Sequence, residues 1–222
     1  MIIKLLLIIS IPFFIYGQTN TQAYDSLYPN DVKIIYHSSW TGPHYTNKII
    51  EFKNSPLDFG DIVFIGNSIT EGGKDWGSKF NKKNIKNRGI SGDVTDGILV
   101  RLKELFYYKP KAVFILIGIN DLYNLHYQKQ IPSPQYVANN ILKIVSQLNK
   151  HIPETQIFLQ TLMPTHEDFM KKNILIVNRI INNNKYNHKF TLIDLNPLFK
   201  KTDGYIIESV SYTHLTLPTR LS

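Results

Sequence analysis

The chain contains no cysteine. That excludes disulfides, zinc-thiolate sites, iron–sulfur clusters and a cysteine nucleophile together, and it leaves the redox compartment open. Methionine and tryptophan are scarce, at three and two residues, and 17 Asp and Glu are outnumbered by 25 Lys and Arg. The formal charge of +8 permits acidic partners without demanding one. Long apolar runs are also missing, apart from residues 5–16, which fall short of the ~20 residues that span a bilayer. No internal period points to a repeat array. What is present is an apolar fraction of 43% in 222 residues, enough for one large domain with a core and too much for a disordered chain.

Residues 1–17 read as a secretory signal, with Lys4 as the charged start, an apolar stretch, and Gly17 before polar Gln18-Thr19-Asn20. This predicts a secreted or periplasmic protein with no stable membrane span once the signal is removed; an uncleaved N-terminal anchor is the alternative. At the other end, residues 210–222 carry no acidic residue and no helical period. They do not read as the closing helix of an α/β domain and are taken as an atypical, non-native tail.

Residues 18–57 are polar and aromatic, with Tyr24, Tyr28, Tyr36, Trp40 and Tyr45 spread among Pro, Asn and Ser. They read as an extension that wraps the domain, with a short helix over 46–52. From residue 58 to 209 the pattern is regular. Apolar runs at 61–66, 85–88, 111–118, 155–161 and 190–195 read as strands. Between them, Val94, Ile98, Leu99, Leu102, Leu105 and Phe106 share a helical face closed by Pro110. Ser133-Pro134 is an N-cap and first-turn signal for a helix burying Val137, Ile141, Ile144, Val145 and Leu148. A further helix is expected over 167–181. Alternating strands and helices predict a single α/β domain with a mostly parallel five-stranded sheet and right-handed crossovers.

Three loops follow strands directly: Gly66-Asn67-Ser68-Ile69, Gly89-Ile90-Ser91-Gly92-Asp93 and Gly118-Ile119-Asn120-Asp121. In an open parallel sheet, ligands bind at the carboxyl ends of the strands. A serine hydroxyl, a glycine N–H and a carboxamide converging there are the ingredients of acyl transfer: a nucleophile and donors for an oxyanion. Each residue alone has an ordinary use. Ser68 can cap a helix, Gly89 and Gly92 can serve a tight turn, and Asn120 can bond its own backbone. Other signatures are missing. Thr70 stands where Gly-x-Ser-x-Gly needs its last glycine, and neither a phosphate-binding loop nor Gly-x-Gly-x-x-Gly occurs. His166-Glu167 lacks the second histidine of a zinc motif, so neither a metal nor a cofactor is expected.

With these three blocks in order, the chain resembles the SGNH hydrolases, also called GDSL esterases and lipases, from about residue 58 to 207. The resemblance implies a three-layer αβα, flavodoxin-like fold with Ser68 as nucleophile, and with Ser68, Gly92 and Asn120 forming the oxyanion hole. Asn67 stands where the commoner pattern has aspartate. The implied substrates are acetyl or short acyl esters of carbohydrate or lipid, with lysophospholipids second. The implied base comes as Asp-x-x-His near the C-terminus. None of the seven histidines (37, 44, 126, 151, 166, 188 and 214) has aspartate three residues earlier; His214 is preceded there by Ser211. The domain is therefore expected to lack its last catalytic block, with native sequence stopping near Glu208. His214 acting without the aspartate is the alternative, and His126 and His166 read as solvated loop residues. A catalytically silent binding protein is the competing function. Nucleic-acid binding through Lys74, Lys79, Lys82, Lys83, Lys86 and Arg88 is a third, set aside for a solvated helix face because no nucleic-acid motif accompanies the run. The same run is expected to lie beside the crevice, where it would favour an anionic substrate.

Overall fold

The computed structural model describes residues 25–207. The signal at 1–17, the tail at 210–222 and His214 therefore lie outside the described residues. Five strands form one sheet: β1 (Ile62–Gly66), β2 (Ile85–Gly89), β3 (Ala112–Leu116), β4 (Gln156–Gln160) and β5 (Thr191–Ile193), in the order β2-β1-β3-β4-β5. All four pairings are parallel, so the sheet is wholly rather than mostly parallel.

Helices flank it: α1 (Thr41–Asn54), α2 (Ser68–Gly72), α3 (Trp76–Phe80), α4 (Thr95–Val100), α5 (Lys103–Tyr108), α6 (Ile119–Tyr127), α7 (Pro134–His151) and α8 (Asp168–Asn183). The expected helix at 46–52 is thus longer at both ends. Reciprocal hydrogen bonds between Ser38 and Thr41 pin its first turn. The single face expected over 94–106 is two helices, α4 and α5, broken at Arg101. That side chain turns inward to the carbonyls of Arg88 and Gly66, at 2.8 and 3.2 Å, which a continuous helix presenting an apolar face would not require. The α7 cap is as read: the Ser133 hydroxyl accepts from the Tyr136 N–H at 3.1 Å.

Strand alternation sorts the core. Val63, Ile65, Val113, Ile115, Ile157 and Leu159 point to one face and pack with Ile98, Leu105, Ile141, Val145, Ile174 and Val177 of the long helices. On the other face Phe64, Phe114 and Phe158 stack across three strands, with ring centroids 4.7 and 4.5 Å apart. Trp76 and Phe80 of α3 extend the row. An apolar groove of about 440 Å³ runs along this face, lined by Phe64, Phe114, Leu116, Ile193 and Phe199 among others. Residues 25–57 add a second cluster, in which Tyr28, Tyr45, Ile49 and Phe52 pack on Ile90. No described helix is long and apolar enough to cross a membrane.

Candidate active site

Placing β1 between β2 and β3 brings the three loops together, with Gly66 in register with both Gly89 and Leu116. Ser68 begins α2 two residues beyond that level, is exposed, and lines a cleft of about 530 Å³ with Glu71, Asn87, Gly89, Ser91, Lys48 and Lys74. The helix cap is Asn67 rather than Ser68: its Oδ1 accepts from the Ile69 N–H at 3.1 Å, which leaves the serine hydroxyl unused for capping. Asn67 itself is buried, and its Nδ2 has no hydrogen-bond partner among the described residues.

Gly92 has φ +80°, a conformation L side chains rarely adopt. A Cβ there would also stand 2.2 Å from Thr41 Cγ2, so glycine is required twice over. Gly89 answers to a different constraint, close approach, since a Cβ would meet the Glu71 N at 2.2 Å. Asn120 lies in the first turn of α6 and donates from Nδ2 to the Asp93 carbonyl at 2.9 Å, tying the third loop to the second.

Behind these residues is a buried support that the sequence did not disclose. Asp93 is fully buried and bonds Arg101 at 2.9 Å and His37 at 3.3 Å. Arg101 in turn holds the ends of β1 and β2, so one guanidinium braces the Ser68 loop and the glycine loop. Glu71, one turn after Ser68, accepts from the Ser91 N–H and pairs with His44 at 3.0 Å. Burial alone would raise its pKa, but the hydrogen bonds from Ser91 and His44 outweigh burial and hold the carboxyl below its usual range. The three-residue spacing of Ser68 and Glu71 on α2 was the one sequence signal for this cluster.

The other histidines stand apart. His126 is in α6, not a loop, and stacks on Phe169 at 3.7 Å between centroids. His151 stacks on Phe106, and His166 is exposed. Among the described residues no histidine hydrogen-bonds the Ser68 hydroxyl. The basic run is not one patch beside the crevice. Arg88 is buried against Glu104 at 2.8 Å, Lys86 pairs with Asp58 and Asp61, and Lys82 borders the groove on the sheet face.

Residues 64–217 match the model of the GDSL-like lipase/acylhydrolase family. The human platelet-activating factor acetylhydrolase IB subunit alpha1 is 28% identical over 165 residues, covering 71% of this chain and 68% of that subunit. A GDSL-like lipase from Bacteroides thetaiotaomicron shares the fold at TM-score 0.57 and 23% identity, over 74% of this chain and 89% of that one. The acetylxylan esterase Axe2 from Geobacillus stearothermophilus does so at TM-score 0.52 and 17% identity, over 64% and 78%. With a family match spanning most of its length, a three-layer α/β fold and the three loops at one sheet edge, the chain belongs to the GDSL-like lipase/acylhydrolase family of ester-bond hydrolases.

Proposed function

We propose that the protein is an exported serine carboxylester hydrolase that removes acetyl or short acyl groups from carbohydrate or lipid alcohols. The observation that carries this reading is that the loops bearing Ser68, Gly92 and Asn120 follow the carboxyl ends of the neighbouring strands β1, β2 and β3, with Asn120 bonded to the Asp93 carbonyl beside Gly92. Ser68 Oγ attacks the ester carbonyl carbon while its proton passes to a histidine base, the role for which His214, in the region where the family carries its Asp-x-x-His block, is this sequence's candidate. The carbonyl oxygen becomes an oxyanion held by the Ser68 and Gly92 N–H groups and the Asn120 amide. Collapse breaks the ester C–O bond, the alcohol leaves with the proton, and water then hydrolyses the acyl-serine. A short acyl group is supported by two relatives of different kinds, a platelet-activating factor acetylhydrolase and an acetylxylan esterase, whose names share acetyl removal. Export rests on residues 1–17, and a mature chain beginning at Gln18 is its expected sign.

A fluorophosphonate probe tests the assignment, because it labels only an activated serine. Labelling at Ser68, loss of label in Ser68→Ala, and parallel loss of p-nitrophenyl acetate hydrolysis are expected. Hydrolysis that survives Ser68→Ala overturns the nucleophile. A folded wild-type chain that stays unlabelled supports the second reading, a binding protein that keeps the crevice and is catalytically silent.

A further inference from the structure

Trp40, the N-cap of α1, lies against the glycine loop beside the Ser68 cleft. Trp40 Cζ3 lies 3.5 Å from the point a Cβ on Gly92 would occupy, so the indole borders the glycine proposed to hold the oxyanion. Trp40 is 60% exposed, yet it is held in place. Its ring stacks on His44, with centroids 5.1 Å apart and planes 11° apart. His44 is fixed by Glu71, and Glu71 by the Ser91 N–H in the loop that carries Gly92. The Trp40 N–H donates to the Ser38 hydroxyl at 3.3 Å, which secures the backbone as well. An indole with one side braced and much of its surface left to solvent is a preorganised stacking surface, and little ordering entropy remains to be lost on binding.

We propose that Trp40, braced by His44 and Glu71, is the platform for the alcohol part of the ester, and that this alcohol is a sugar ring. The inference rests on the ester-hydrolase reading, in which a short acyl group leaves the alcohol as the body of the substrate. A pyranose sets a C–H face on the indole and turns hydroxyls toward the neighbouring Ser68 cleft, which Lys48, Lys74 and Asn87 line. A quaternary ammonium, the other ligand that favours tryptophan faces, meets Lys74 as a like charge, while Glu71 is already paired with His44 and Lys48.

Calorimetric and fluorescence titrations of the full chain with unacetylated xylotriose and cellotriose test the platform without requiring turnover. Binding of either sugar with a change in tryptophan emission is expected, weakened about tenfold by Trp40→Ala, the loss of roughly one aromatic stacking contact, and largely restored in Trp40→Phe. Thermal melts show whether the variants fold. No sugar binding by the wild type, equal binding by Trp40→Ala, or phosphocholine binding in place of the sugars overturns the proposal. Ser68 labelling is read separately. Trp40-dependent sugar binding without labelling sinks the hydrolase reading and supports the platform; labelling without sugar binding sinks the platform alone.

Discussion

Asn120 carries two amide hydrogens, and the bond from Nδ2 to the Asp93 carbonyl engages one of them. That bond orients the planar carboxamide, so the second hydrogen has a defined direction before any substrate arrives. A donor held this way stabilises developing charge without reorganising during the reaction, which is where oxyanion holes derive their effect. Replacing Asn120 by alanine is expected to lower kcat by ~10²–10³ with a smaller change in KM, since the donor acts on the transition state more than on bound ester. Steady-state kinetics on p-nitrophenyl acetate, beside a melting curve showing an intact fold, check this. A fall in kcat below tenfold would remove Asn120 from the oxyanion hole. The residue was legible as a Gly-Ile-Asn-Asp block; its Asp93 partner, 27 positions away, was not.

Helix termini meet behind the site. Asp121, in the first turn of α6, accepts hydrogen bonds from the Thr95 N–H at 3.1 Å and the Thr95 hydroxyl at 2.5 Å, which joins α6 to the start of α4. Burial is the largest influence on this carboxyl and pushes its pKa up from 3.8 to about 7, against the Thr95 hydrogen bonds, which lower it. The native state therefore keeps a proton that the unfolded chain releases between about pH 4 and about pH 7, and the Asp121 contribution to stability falls as pH rises through that window. Asp121→Asn retains an acceptor for Thr95 and removes the titration. Urea midpoints measured across the window should decline less with pH in the variant than in the wild type; an unchanged slope would mean Asp121 titrates normally. The sequence pattern did not mark α6 and ran α4 and α5 together, because periodicity registers an apolar face and not an arginine that turns inward from it.

At the scale of the molecule, one buried carboxylate joins three parts of the chain. Glu104 on α5 accepts from Arg88 on β2 at 2.9 and 2.8 Å, from the Tyr28 hydroxyl at 2.9 Å and from the Leu57 N–H at 3.3 Å. Leu27 packs against both hydrophobic clusters. Residues 25–57 and the sheet domain should consequently unfold in one cooperative transition. Glu104→Ala leaves the Arg88 charge buried and unpaired, and a loss of ~3–5 kcal/mol is expected from urea unfolding, with a smaller loss for Glu104→Gln. Two separate transitions, or a loss under ~1 kcal/mol, would show that the ion pair does not couple the parts.

From the sequence alone came the alternation of strands and helices, the Ser133 cap and the three loop motifs, because each is encoded by residues within a few positions of one another. Arg88 looked like one more surface cation, and Trp40 and His44 like members of a loosely aromatic extension. Only the tertiary structure set β1 between β2 and β3, buried Arg88 on Glu104, and laid Trp40 beside Gly92. The physical reason is that hydrophobic period says which face of an element turns inward, whereas the neighbour it meets there is chosen by packing across the whole fold.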